Sequence, residues 1–164
     1  MKIFKLVVII AICSLNFTSC KDDNPAAPTY ESIDAGSLQA SVGDEFFVST
    51  NVNTSQFEPD LIKINASATT SGISLVLTDW QIGQYPIGGN NNENYILYSN
   101  LNSPQDFSVY TSEGKTNTTG TVNILAVDEE NKTLSGTFDG LLVLDTDSND
   151  TIIIKDGMFN QVPY

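Results

Sequence analysis

Asp145, Asp147 and Asn149 alternate within "DTDSND", and Asp156 follows in "TIIIKDG". Counted from Asp145, these four residues fall at the first, third, fifth and twelfth positions of a calcium loop, where hard oxygen ligands close around the ion. Two features weigh against that chemistry. Asp150 stands where such a loop needs a glycine, and the flanking runs "LLVL" and "TIII" read as strands. The competing reading is a polar hairpin turn, because Asp, Asn and Ser bond to their own backbone in turns. No metal is therefore assigned; calcium is the one cation that Asp145, Asp147, Asn149 and Asp156 would take. Trp80, Tyr85 and Tyr95 offer a second chemistry. They flank the Asn-rich stretch "GGNNNEN", with Tyr98 and Tyr110 further along, and aromatic faces beside amide groups can hold a sugar. The alternative is that these aromatics are core or cross-strand pairs. Covalent and acid–base catalysis find little support. The chain has no histidine and no arginine, which removes the commonest general base and bidentate anion clamps. Paired carboxylates could serve a glycosidase, but among 20 acidic residues no pair stands out, and no catalytic residue is assigned.

The N-terminus carries a different kind of chemistry. Lys2 and Lys5 precede the apolar run "LVVIIAICSLNF", which is shorter than the roughly 20 residues a membrane span needs. A charged start, a short apolar stretch and then small residues form the layout of a secretory signal peptide. "FTSC" resembles a bacterial lipobox, with Thr18 and Ser19 small and Phe17 in place of the usual leucine. Residues 1–19 are thus expected to be removed and Cys20 to become a lipidated first residue. Several acyl chains, palmitate among them, would make that attachment durable. Cys13 lies in the removed segment, so no disulfide can form within one mature chain. "KDD" (Lys21, Asp22, Asp23) resembles the signal that sends lipoproteins of Bacteroidota-type bacteria to the outer face of the outer membrane; as plain sequence it is a solvated linker.

Charge narrows the partners. The whole chain has a formal net charge of −13. Such a chain repels phosphate backbones, so no nucleic-acid partner is expected, and the lipid must supply any hold on a membrane. Residues 20–37, with two prolines in "NPAAP", read as a flexible spacer. Residues 38–164 then form a single all-β domain. "LIKINASA" and "GISLVLT" alternate apolar and polar residues around a turn-forming "TTSG", and "GTVNILAV", "DEENK" and "TLSGTFDG" spell a second hairpin. "FFVSTNV", "YILYS" and "FSVYT" read as one strand each, and "LLVL" and "TIII" pair across the Asp-rich turn. About nine or ten strands without a helix predict an antiparallel β-sandwich or an up-and-down barrel.

The C-terminal half is similar to small lipoproteins of unknown function from Bacteroidota-type bacteria. The likeness rests on Gly120, Asp128, Asn131, on Ser135, Gly136, Thr137 and Phe138 in "SGTF", and on Gly157 and Phe159 in "GMF". "WQIGQYPI" and "LQASVGDEFF" resemble the family's earlier strands. The resemblance implies an all-β fold and a surface-lipoprotein context, and no activity. Physically, Gly136 and Gly157 should sit at bulges or beneath close-packed aromatics, with Phe138 and Phe159 in the core. The expected function is a non-catalytic recognition module for a glycan or protein ligand, anchored in the outer membrane on its cell-surface side. The alternatives are a purely structural envelope lipoprotein and, behind it, a carboxylate-dependent glycosidase.

Overall fold

The computed structural model describes residues 32–58, 60–89, 93–103 and 106–164; Cys20, Lys21, Asp22 and Asp23 lie outside the described residues. The architecture is all-β, as expected. Eleven strands run in order: β1 (Ser37–Val42), β2 (Glu45–Ser49), β3 (Asn51–Glu58), β4 (Leu61–Ser67), β5 (Ser71–Leu77), β6 (Gly83–Gly88), β7 (Tyr95–Ser103), β8 (Asp106–Thr111), β9 (Thr119–Asp128), β10 (Thr133–Leu144) and β11 (Asp147–Pro163). Every ladder is antiparallel.

The strands form one open, branched sheet in the order β2-β1-β11-β10-β8-β7-β5-β4-β3, with β9 paired to β10 and β6 to β9. The branch lies on β10. Its first nine residues, Thr133 to Leu141, pair with β9, whereas Val143 and Leu144 pair with β8. A second corner lies at Thr50, where the chain passes from β2 at one end of the strand order to β3 at the other. The Ser49 hydroxyl ties that corner: it donates to the Ser67 carbonyl at 2.7 Å and accepts from the Asn51 N–H at 3.1 Å. This corner divides "FFVSTNV", predicted as one strand, into two, which helps raise the total above nine or ten. The sheet folds upon itself at these corners and encloses a core as a sandwich does.

Period-two alternation fills that core. Ile62, Ile64 and Ala66 of β4 face inward beside Leu77, Leu75 and Ile73 of β5, in the hairpin that the sequence predicts. Leu38, Phe47, Ile96, Val122, Ile124, Phe138, Leu142, Ile154 and Phe159 complete the interior. Phe138 and Phe159 are both buried, with ring centroids 6.4 Å apart. Among the described residues no buried side-chain nitrogen or oxygen lacks a hydrogen-bond partner. The chain is fastened earlier than the predicted spacer boundary. Asn160 Nδ2 donates to the Ile33 carbonyl at 2.9 Å, and the Gly36 N–H donates to the Asn160 carbonyl at 2.7 Å.

Candidate functional site

The longest strand, β11, is also the least regular. Phe138 pairs with Gly157 and Gly140 with Ile154, so the single residue Asp139 faces both Lys155 and Asp156. The extra residue is accommodated at Asp156, whose φ is 51°. Aspartate tolerates that left-handed conformation better than most residues. The neighbouring glycine is required for a different reason. A Cβ on Gly157 would lie 2.5 Å from the Phe138 carbonyl oxygen and 2.7 Å from its ring. Gly136 faces the mirror-image restriction, with a Cβ 2.6 Å from Phe159 Cζ. Each glycine thus seats the other strand's phenylalanine, which is the role its sequence position suggests.

A bulge re-aims side chains and opens the strand surface. Here it opens a cleft of about 350 Å³ on the sheet's outer face, lined from β10 by Thr137, Phe138 and Asp139 and from β11 by Lys155, Asp156, Gly157 and Met158. Asp139 stays exposed at the surface, and partial burial holds its carboxyl above its ordinary range. Among the described residues Lys155 makes no ion pair; the ion pair there is Lys115–Asp145, at 3.1 Å. Thr137 Oγ1 accepts a bond from Asn123 Nδ2 at 3.3 Å, which fixes the hydroxyl at the cleft wall. The cleft wall is therefore mainly apolar, with the exposed residues Asp139, Lys155 and Asp156 bringing two carboxylates and an ammonium to its surroundings. That combination suits a small ligand rich in hydroxyl groups. Sequence reasoning did not find Asp139 or Lys155. The available signal was the paired "FDG" and "KDG", since an Asp-Gly within a strand marks a bulge.

The aromatic candidates lie elsewhere. Trp80 and Tyr85 pack against the edge of the core. Trp80 meets Tyr164, with ring centroids 6.5 Å apart and planes inclined by 51°, and Lys132 Nζ lies 5.7 Å from the Tyr164 centroid. The Tyr85 hydroxyl donates to the Gln81 carbonyl at 2.7 Å. Burial, and then the nearby Asp79 charge, raise its pKa. Tyr95 lies on β7 opposite Val76, and its pKa is raised by burial and then by Glu113. No ring contact joins Trp80 to Tyr85 or Tyr95 among the described residues. Asn94, from the Asn-rich stretch, is buried, and its Oδ1 accepts from the Thr78 N–H at 2.9 Å.

The four calcium candidates are not brought together either. Asp145 is bound to Lys115, and Asp147 Oδ1 accepts from the Asn149 N–H at 2.9 Å and from Asn149 Nδ2 at 3.1 Å. Both Asp147 and Asp156 belong to β11. A strand rises about 3.3 Å per residue, so Asp156 is carried roughly 20 Å along β11 from Asn149. Among the described residues no group of three or more acidic, cysteine or histidine side chains is arranged to hold a metal ion.

Fold and cleft together define the class: an all-β domain whose open antiparallel sheet presents a small, largely apolar cleft at a strand bulge, with charged residues around it. Residues 34–163 match the profile of the family described as "Domain of unknown function (DUF6252)". The match spans most of the chain, which belongs to that family. No curated protein and no solved structure matches the chain.

Proposed function

We propose that this protein is a lipid-anchored, surface-displayed recognition module of the outer membrane, which takes a polyhydroxylated ligand such as a glycan in the β10–β11 cleft. The observation that carries the reading is the placement of Asp139 opposite Lys155 and Asp156 at one bulge, beside a cleft. Carboxylates accept bonds from sugar hydroxyls, the ammonium donates to them, and Met158 supplies an apolar flank. The signal-like N-terminus and the lipobox resemblance at Cys20 support the address. The same carboxylates favour a second reading. Glycosidases protonate a leaving group and assist its departure with two carboxyl groups, and here Asp139, raised by partial burial, faces Asp156 across the bulge.

Calorimetric titration of the purified protein with a glycan panel, alongside an assay for glycoside cleavage, tests both readings. Saturable binding without turnover is expected, and Asp139→Asn and Lys155→Ala should each weaken it at least tenfold. Turnover that vanishes with Asp139→Asn would replace recognition by hydrolysis. Binding unchanged in both variants would remove the cleft from the account. The address is tested separately by mass spectrometry of membrane extracts. A Cys20-linked lipid is expected, and Cys20→Ala should release the protein from the membrane. A mature N-terminus elsewhere would overturn the anchor.

A further inference from the structure

Among the described residues, three strands have a ladder partner on one side only: β2, β3 and β6. Two of these free edges are blunted in recognisable ways. In β6, Pro86 removes an N–H from the edge strand. In β3, the row Asn51, Asn53 and Ser55 is polar, and Asn65 Nδ2 bonds to Asn53 Oδ1 at 3.5 Å and to Ser55 Oγ at 3.4 Å. The β2 edge has no such device. Its sequence, EFFVS, holds no proline or lysine, and its pairing with β1 runs without a register shift. Phe46 is 65% exposed and Val48 48% exposed, both on the outer face.

The hairpin geometry says which backbone groups are free. β1 and β2 are joined by the two-residue turn Gly43–Asp44, with Val42 opposite Glu45. In such a hairpin the residues flanking the turn exchange hydrogen bonds, and bonded and non-bonded pairs then alternate. Glu45, Phe47 and Ser49 therefore spend their N–H and C=O groups on β1. Phe46 and Val48 direct theirs to the open edge.

We propose that β2 is a pairing edge and that its partner is β2 of a second copy, antiparallel about a two-fold axis at Phe47. This register follows from the sequence. Placing Phe47 opposite its own copy sets Phe46 opposite Val48 of the partner strand, twice. These are the residues whose backbone groups are free, so four hydrogen bonds form between the chains. On the outer face each Phe46 covers a Val48, and on the inner face the two buried Phe47 side chains bring the cores edge to edge. Glu45 falls opposite Ser49, and Asp44 opposite Thr50, so no carboxylates oppose one another. Shifting the register by two residues in either direction sets Phe46 or Val48 opposite itself and loses the reciprocal Phe46–Val48 pairs.

Two copies at −13 each repel one another, and salt screens that repulsion. The experiment is sedimentation equilibrium of the full chain in density-matched detergent, under reducing conditions that exclude disulfide dimers through Cys13 or Cys20. A monomer–dimer equilibrium that tightens with added sodium chloride is expected. Val48→Pro removes an edge N–H while sparing the bonds to β1, and Phe46→Lys places a charge in the interface. Either should shift the dissociation constant at least tenfold with an unchanged circular dichroism spectrum. Should the proline variant misfold, the lysine variant decides. A chain that stays monomeric at every loading concentration, or a dimer that both variants retain, overturns the proposal.

Discussion

The β4–β5–β7 ladders and the β10–β11 ladder are built from the same kind of sequence and behave differently. From Ile62 opposite Leu77 to Ser71 opposite Asn100, the first region pairs without a register shift. The second shifts three times, between Leu134 and Gly136, Phe138 and Gly140, and Val143 and Leu144. Alternation in the first region buries one face and leaves most of the other half-buried, with Val76 as the exception, and no residue is left over in the pairing. In the second, each extra residue must go somewhere, and at Asp156 it opens the cleft. The lesson is that regularity here marks scaffold, whereas the departures from it concentrate the polar groups able to meet a ligand.

Glycine substitution sharpens that comparison most. Gly157→Ala would drive a methyl group into the Phe138 carbonyl and ring. Neither can retreat, because one is ladder backbone and the other a buried ring. Overpacking of this kind costs about 1–3 kcal/mol or more. Gly72, in the regular region, presents a milder case. Its added Cβ would lie 3.1 Å from Ser99 Oγ, which can rotate, and 3.3 Å from the Ala66 carbonyl oxygen. The entropy gained by replacing a strand glycine is of the order of 0.5–1 kcal/mol and offsets that crowding. Urea denaturation of both variants should show a large loss for Gly157→Ala and a change within about 1 kcal/mol for Gly72→Ala. Equal losses would mean that the bulge is no more constrained than the plain ladder.

The same contrast governs what could be read from the sequence. The β4–β5 and β9–β10 hairpins were legible because period two and turn residues are local signals. The turn falls within "DEENK", with Thr133 opposite Asp128, and Asp128 Oδ1 accepts from the Glu130 and Asn131 N–H groups as a turn aspartate should. The corner at Thr50 was not legible. Nothing local distinguishes a strand that continues from one that changes neighbours, since the Ser49 bond to Ser67 is made only after folding. The cleft was half legible. Gly136 and Gly157 announced close packing, but that Asp139 and Lys155 share a wall depends on a register shift between strands. The Asp-rich turn matches calcium-loop spacing along the chain, and the strand character of "LLVL" and "TIII" is the sequence signal that counts against it. A strand spreads the same residues along its length.

The smallest expected effect separates a carboxylate that the fold uses from one that it merely tolerates. Asp128 is held below its ordinary range, chiefly by its bond from the Asn131 side chain and then by backbone N–H groups. Asp139 is held above its range by loss of solvent. The two signs have opposite consequences, because stability rises with pH wherever the unfolded state binds more protons. For Asp128 the unfolded chain holds the proton more tightly. Its contribution is present above the unfolded value of about 3.9 and is lost as pH falls through the lower folded value. For Asp139 the folded chain holds the proton more tightly, so stability declines as pH rises from about 3.9 through the raised folded value. Asp139→Asn should therefore melt slightly higher than the unsubstituted protein near neutral pH, with the gap closing in acid. Asp128→Ala should melt slightly lower near neutral pH, and that gap too should close in acid. Thermal melts of both variants across this range check the signs. If Asp139→Asn instead lowers the melting temperature near neutral pH, the carboxylate is serving the fold, and its place in the cleft would need no ligand to account for it.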